Sequence, residues 1–126
     1  YSCSADPHLS SDSRQRIAAA ITDAHCQHTG APAAFVHVFF NDDYGRCRGV
    51  AVQVIGTIRA GRTSDQKSTM RQDMIARVAA IVSCDESAIG FDLYEIPAEW
   101  VMEGGKVLPR PGSEDDWMQE NWHDQV

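Results

Sequence analysis

The chain has 126 residues and a formal net charge of −7, so a single domain over residues 1–126 is the prediction. An acidic chain lacks the basic face that nucleic-acid phosphates require, and no apolar run reaches membrane-spanning length. These totals argue against a nucleic-acid-binding or membrane protein. They leave room for a site that binds a small anion, because such a site depends on the local field rather than on net charge.

The first third of the chain predicts a strand, a helix and a second strand. Residues 1–5 alternate apolar side chains with serines, which is typical of a strand. Ser10 or Ser11 can cap a helix that ends around Gly30. Residues 35–40 are apolar on both faces except for one histidine, so we expect a strand in the middle of a sheet or at a subunit contact.

The next part repeats this pattern. Residues 50–58 alternate like a strand, and a glycine corner follows at Gly61. Thr63 with Gln66 three residues later forms a capping box, which marks the start of a second helix. Residues 88–95 then predict a fourth strand.

The two repeats, residues 1–40 and 48–96, predict two tandem βαβ units. Each unit makes its two strands parallel through a right-handed crossover. We therefore expect an α/β fold in which a four-stranded mixed sheet carries both helices on one face and leaves a bare, apolar face for a partner subunit. Residues 97–126 predict a glycine hairpin, an edge strand at Val107-Leu108, one helical turn from Ser113 to Trp117 and an acidic C-terminal tail.

The four cysteines are widely separated and form no CxxC motif, which argues against a zinc site or any other metal centre. We interpret Cys3, Cys26, Cys47 and Cys84 as reduced packing residues of a cytoplasmic protein. Disulfides in an oxidising compartment are the alternative.

Two arginines, Arg59 and Arg62, flank the glycine corner. The start of a helix favours anions, because its first amide hydrogens lack partners and its dipole is positive there. Guanidinium groups add bidentate recognition of a carboxylate. The corner therefore predicts a carboxylate-binding site, with solvated surface charge as the alternative.

Four other side chains are candidates for chemistry. His25 follows Ile21 by one helical turn and lies on or beside the buried stripe, where a packed structural histidine is the alternative. Glu103 precedes two glycines and sits beside apolar residues, which raise a carboxyl pKa and suit a general acid or base; a solvated turn residue is the alternative. Asp92 and Tyr94 share one strand face, which either lines a cleft or is simply its wetter side.

Together these residues resemble the tautomerase superfamily, and within it the cis-3-chloroacrylic acid dehalogenase-like group. The resemblance runs from about Leu9 to Trp117. It rests on Ile21-Thr22-Asp23-Ala24-His25, Arg59-Ala60-Gly61-Arg62, Glu95-Ile96-Pro97, Glu103 and Leu108-Pro109-Arg110-Pro111-Gly112 with Trp117.

The resemblance implies a homotrimeric enzyme without a metal or an organic cofactor. Its substrate would be a small unsaturated or enolisable carboxylic acid, and its reaction a keto–enol tautomerisation, a hydration or a dehalogenation. His25, Arg59 and Arg62 would hold the substrate carboxylate, and Glu103 would activate the attacking water.

The resemblance also implies a catalytic amino-terminal proline, which we expect just upstream of Tyr1. The water-positioning tyrosine of the family aligns with Asp92, and Tyr94 lies two residues further on the same strand face. Two other hypotheses stay open at this point: a non-catalytic trimer that binds a carboxylate, and a monomeric ferredoxin-like module with surface arginines.

Overall fold

The computed structural model describes residues 1–5, 9–42, 47 and 49–121. Its helices and strands are, in chain order, β1 (Ser2–Ala5), α1 (Ser11–Thr29), β2 (Phe39–Asn41), β3 (Val52–Arg59), α2 (Ser64–Val82), β4 (Ile89–Ile96), β5 (Met102–Glu103), β6 (Lys106–Val107) and α3 (Glu114–Asn121). Short 3₁₀ turns precede β2, β4 and β5, at Ala33–Phe35, Glu86–Ala88 and Ala98–Trp100.

Four strands form one mixed sheet in the order β2-β1-β3-β4. β1 is parallel to β2, and β3 is parallel to β4, while β1 and β3 pair antiparallel in the middle. This arrangement confirms the prediction of two tandem βαβ units that share one sheet.

Both long helices pack on one face of the sheet, where their apolar stripes form the core. Residues of α1, α2 and the inward side of the sheet make up this core, with Ile17 and Ile21 from α1, Met70, Met74 and Val78 from α2, and Cys3, Val52, Val54, Ile58, Ile89 and Phe91 from the strands. Among the described residues, no helix has the length and hydropathy that crossing a lipid bilayer requires.

The helix ends agree with the predicted caps. Ser10 rather than Ser11 caps α1, since its side chain accepts a hydrogen bond from the Ser13 amide, and Gly30 ends the helix with φ 75°. At α2, Thr63 and Gln66 make both hydrogen bonds of the capping box. The second helix therefore begins at a fixed point directly after the arginine corner.

The second strand differs from the prediction. Residues 35–40 do not form a continuous buried strand, because Ala33–Phe35 forms a 3₁₀ turn and β2 covers only Phe39–Asn41. The strand also lies at the edge of the sheet and not in its middle, so the alternative of a subunit contact stays a prediction. The first part of this segment belongs to the 3₁₀ turn, where the Val36 amide donates to the Ala33 carbonyl oxygen at 3.0 Å and not to a neighbouring strand.

The face of the sheet opposite the helices is bare, as predicted. The prediction that this face is apolar holds only in part, because polar side chains also lie on it. Phe39 and Tyr94 are 59% and 58% exposed there. Thr57 and Asp92 share that face and are also exposed, because polar residues alternate with apolar ones along β3 and β4.

The C-terminal part differs from the prediction in two details. The glycine hairpin is present, but Val107 pairs with Met102 in a separate two-stranded sheet, not at an edge of the main sheet. The last helix runs over Glu114–Asn121 instead of a single turn. The end of the predicted acidic tail, residues 122–126, lies outside the described residues.

Two of the cysteines occupy the positions expected for packing residues. Cys3 is fully buried in β1, and burial raises the pKa of its thiol to about 12. Cys26 lies in α1, and Cys3, Cys26 and Cys84 all carry free thiols.

Candidate active site

The glycine corner buries both of its arginines. β3 ends at Arg59, Gly61 turns the chain with φ 124°, and Thr63 then caps α2. Arg59 is only 5% exposed and Arg62 only 7%. Solvated surface charge is therefore the wrong interpretation of this pair, and the ferredoxin-like module with surface arginines fails with it.

Arg59 is held by the C-terminal part of the chain. Its Nη2 donates to Glu114 Oε1 at 3.1 Å, and its Nη1 donates to the Pro109 carbonyl oxygen. Its guanidinium carbon lies 5.3 Å from the centre of the Phe35 ring, a cation–π contact. The charge of Arg59 is thus balanced inside the protein by Glu114.

Arg62 makes fewer hydrogen bonds to the protein than Arg59 does. Its Nη1 donates to the Arg59 carbonyl oxygen at 2.9 Å, while its buried Nε and Nη2 have no hydrogen-bond partner in the described part of the chain. Burial, followed by the neighbouring Arg59, lowers the pKa of Arg62. Buried donors without partners cost free energy, so this guanidinium favours an anionic ligand that satisfies them.

His25 lies next to this pair and is neutral near physiological pH. Burial, followed by the charges of Arg62 and Arg59, lowers its pKa from 6.5 to about 4. Its Nδ1 shares a hydrogen bond of 2.8 Å with the Tyr1 hydroxyl. Burial raises the pKa of that phenol, which therefore stays protonated. His25 is both a packed, hydrogen-bonded residue and a member of the site.

These side chains line a cavity of about 210 Å³ at one end of the sheet. The three predicted substrate-binding residues, His25, Arg59 and Arg62, meet there. The remaining walls come from Tyr1, Phe35, Val36, His37, Thr57, Ile58, Ile96, Val101 and Leu108. A small, mostly apolar pocket with a few convergent polar groups is typical of a binding site for a small organic acid.

A larger cavity, of about 350 Å³, lies at the other end of β1 and carries none of the predicted residues. Its cation, Arg14, already donates to the Leu9 carbonyl oxygen at 2.6 Å. The smaller cavity is therefore the stronger candidate, because it holds the unsatisfied guanidinium. Within the described ranges, no group of three or more His, Cys, Asp or Glu residues is arranged to hold a metal ion.

Comparison with known proteins places this geometry in a family. A scan against protein-family models finds no match, and a search of curated protein sequences finds none either. Solved structures do match. N1, a member of the cis-3-chloroacrylic acid dehalogenase family, is 28% identical with a TM-score of 0.90, over 98% of this chain and 93% of that one. Native Ps01740 is 31% identical with a TM-score of 0.72, over 81% of this chain and 97% of that one.

The chain belongs to the tautomerase superfamily. This confirms the resemblance to the cis-3-chloroacrylic acid dehalogenase-like group. FG41 malonate semialdehyde decarboxylase inhibited by 3-bromopropiolate is 20% identical with a TM-score of 0.70, over 96% of each chain, and supports the tautomerase fold alone.

Glu103 reaches the cavity only through a neighbour. Its Oε2 lies 3.0 Å from His37 Nε2, and His37 lines the cavity. The His37 carbonyl oxygen also accepts a hydrogen bond of 2.7 Å from the Tyr1 backbone nitrogen. Glu103 is thus neither a free turn residue nor a residue of the cavity wall, but it lies at the rim.

The remaining two predicted site residues, Asp92 and Tyr94, do not line this cavity. Both are exposed on the bare face of β4, where Asp92 accepts a hydrogen bond of 3.0 Å from Gln53 Nε2. Tyr94 is opposite Thr57, which is a cavity residue. Within this one chain, the pair lies on the sheet face next to the site.

Sequence reasoning gave no role to Tyr1 or His37, which both contribute to the cavity wall. The signal for Tyr1 is a glycine in the middle of β3. A Cβ added at Gly56 would lie 2.5 Å from Tyr1 Cε1, so only glycine leaves space for the ring. An isolated glycine inside a strand commonly marks such a close approach.

Proposed function

We propose that this tautomerase-superfamily protein is an enzyme that acts on a small unsaturated or enolisable carboxylic acid. The reaction is a keto–enol tautomerisation, or the hydration or dehalogenation of a 3-haloacrylate-like acid. The observation that carries the proposal is the buried guanidinium of Arg62, which lines the cavity with two donors unsatisfied by the described residues. One carboxylate presents two oxygens in the geometry that such a fork binds.

His25, Arg59 and Arg62 hold the substrate in this proposal. Arg62 makes the main contact with the carboxylate, because Arg59 shares its charge with Glu114. His25 is uncharged near neutral pH, so it adds a hydrogen bond without adding charge. The apolar walls exclude water around the carboxylate, which strengthens the charged contact.

Proton transfer and water activation need further groups. Glu103, linked to the cavity by His37, activates the attacking water as a general base. An amino-terminal proline upstream of Tyr1 carries the second proton on its amine. The Tyr1 backbone nitrogen donates to the carbonyl oxygen of His37, and both residues line the cavity, which supports a position near the substrate for the residues before Tyr1. This chemistry requires no metal or organic cofactor, and we propose that it takes place in the cytoplasm.

We propose further that the protein is a homotrimer. Solved structures of fused 4-OT, 17% to 21% identical to this chain, are described as symmetric and asymmetric trimers. Two large side chains on the bare sheet face, Phe39 and Tyr94, are more than half exposed, and a partner subunit would bury them. Size-exclusion chromatography with light scattering distinguishes a trimer from a monomer.

A second candidate function is a carboxylate-binding trimer without turnover. The observation that favours it is the position of Asp92 and Tyr94, which lie outside the cavity of their own chain. This candidate keeps the contact with Arg62 and lacks the proton-transfer groups.

Labelling with an acetylenic acid tests the proposal. 2-Oxo-3-pentynoate inactivates Pt0534, a structural neighbour at 22% identity and a TM-score of 0.73. The protein expressed from its natural full-length gene is incubated with this compound, and intact mass and peptide mapping locate the adduct. We expect one adduct per chain on the amino-terminal proline, together with loss of tautomerase activity.

The two candidates predict different outcomes. Binding of a carboxylate without an adduct and without turnover supports the non-catalytic trimer. Failure of simple carboxylates to bind at all contradicts both, since both depend on Arg62.

A further inference from the structure

The C-terminal part of the chain closes around one of the two guanidinium groups at the cavity. Glu114, the first residue of α3, is 5% exposed, and its Oε1 accepts from Arg59. Its other oxygen, Oε2, accepts from the Gly112 backbone nitrogen at 2.8 Å. Pro109 contributes its carbonyl oxygen to the same guanidinium. Both oxygens of this buried carboxylate are therefore held in place.

This contact sets the charge of the cavity. Two guanidinium groups line it, and the ion pair with Glu114 neutralises one of them. His25 is neutral, and Glu103 lies at the rim beside His37. The charge of Glu95 also acts on Arg62, but the Glu95 carboxylate forms an ion pair with Lys67. Of the two guanidinium groups that line the cavity, Arg62 is then the one without an ion-pair partner among the described residues.

We propose that Glu114 makes the cavity selective for acids with a single carboxylate, so that dicarboxylic acids are rejected. The inference rests on the proposed function and specifies its substrate class. One carboxylate satisfies Arg62. A second carboxylate would find the Arg59 fork already occupied and would face the like charges of Glu114 and Glu103, and like charges in a confined site repel.

Crotonate and fumarate test this selectivity as a matched pair, because fumarate replaces the methyl group of crotonate with a second carboxylate. Binding of each acid to the full-length protein is measured by titration calorimetry at mildly alkaline pH, where both carboxylates of fumarate are ionised. For the wild type we expect binding of crotonate that is about tenfold or more tighter than binding of fumarate.

The variant Glu114→Gln removes the charge and keeps the shape of the side chain. We expect it to tighten fumarate relative to crotonate by about tenfold, because the freed Arg59 can bind the second carboxylate. Asp115→Asn is the matched control: it changes the net charge equally, at the next residue of α3, which is exposed. The ratio of the two affinities should stay at the wild-type value in this control.

The outcomes separate the inference from the proposed function. If neither acid binds the wild type, the proposed function fails and the inference fails with it. If crotonate binds and fumarate binds equally well, the inference alone is overturned, and this comparison needs no folded variant. An unchanged ratio in a folded Glu114→Gln protein also overturns it, as does a shift of equal size in Asp115→Asn.

Discussion

Arg59 and Arg62 lie on the two sides of one glycine corner and are buried to nearly the same extent, yet their hydrogen-bond partners differ. Arg59 is bound by the chain's own C-terminal part through Glu114 and Pro109. Arg62 makes one hydrogen bond, and its Nε and Nη2 have no partner within the described ranges. Residue type and burial therefore do not distinguish these two arginines. They differ in whether the protein itself supplies hydrogen-bond partners for the guanidinium.

The physical basis of this difference is the cost of burying a charge. A guanidinium taken out of water must recover its lost hydration from hydrogen bonds and an opposite charge. Arg59 recovers it within the protein, so its removal should affect folding first. In the proposed function Arg62 recovers it from a ligand, so its removal should affect binding first.

The largest expected effect is the loss of stability in Arg59→Ala. This change leaves Glu114 buried without its counter-charge, and breaking a buried pair from one side costs about 3 to 5 kcal/mol. Urea denaturation should show that fall in the free energy of unfolding. The double variant Arg59→Ala with Glu114→Ala should recover part of it, because the orphaned carboxylate is gone. Wild-type stability in the single variant would mean that the ion pair contributes nothing.

Arg62→Met should show the reverse pattern. The apolar side chain has a similar volume and carries no unsatisfied donors, so we expect no fall in the free energy of unfolding. Affinity for crotonate should weaken by about 2 to 4 kcal/mol, because the fork that binds the carboxylate is lost. Calorimetry and thermal unfolding on the same samples check both parts. If Arg62→Met is less stable than the wild type but binds crotonate with wild-type affinity, then Arg62 stabilises the fold and does not bind the ligand.

His25 sharpens the comparison through pH, because it lies beside both arginines and its pKa falls to about 4. Between pH 6.5 and about 4, the unfolded chain binds a proton at this imidazole while the folded chain does not. The free energy of unfolding should therefore fall as the pH drops through that window, by about 3 kcal/mol at its lower end. Above pH 6.5 this group adds no pH dependence.

The measurement compares urea denaturation of the wild type and His25→Gln at several pH values. The difference between the two curves isolates His25 from His28 and His37, which have carboxylate partners of their own. A difference that stays constant with pH would contradict the neutral, buried histidine.

The corner itself was predictable because its signals are local. Thr63 and Gln66 are three residues apart and form their capping box within one helical turn, and Gly61 adopts the positive φ that glycine favours. The double βαβ order and the meeting of His25 with both arginines also followed from sequence, the latter through the family resemblance. Periodicity and caps depend only on near neighbours, which a sequence displays directly.

The different roles of the two arginines were not predictable, because they depend on long-range contacts. Glu114 is 55 residues from Arg59, and its helix shows only an acidic start in the sequence. The prediction for the second strand was wrong because the apolar pattern of residues 35–40 does not reveal the 3₁₀ turn at Ala33–Phe35, and only Phe39–Asn41 forms the strand. The sequence shows that both residues are charged. Only the fold shows that Glu114 pairs with Arg59 and that two nitrogens of Arg62 lack a partner among the described residues.

The smallest expected effect tests the link between the corner and the C-terminal part. Gly61 has φ 124°, and a Cβ there would lie 3.3 Å from both Cγ and Cδ of Pro111. Gly61→Ala should therefore cost about 1 to 3 kcal/mol of stability, from backbone strain and from displacement of Pro111. Gly105→Ala is the control, since Gly105 has φ 78° and nothing within 4 Å of the added Cβ.

Because Pro111 lies between Pro109 and Glu114, which hold Arg59, we expect Gly61→Ala to weaken the discrimination between crotonate and fumarate. Gly105→Ala should lose stability through strain but keep that discrimination, and equal discrimination in both variants would show that crowding at Pro111 does not reach Arg59.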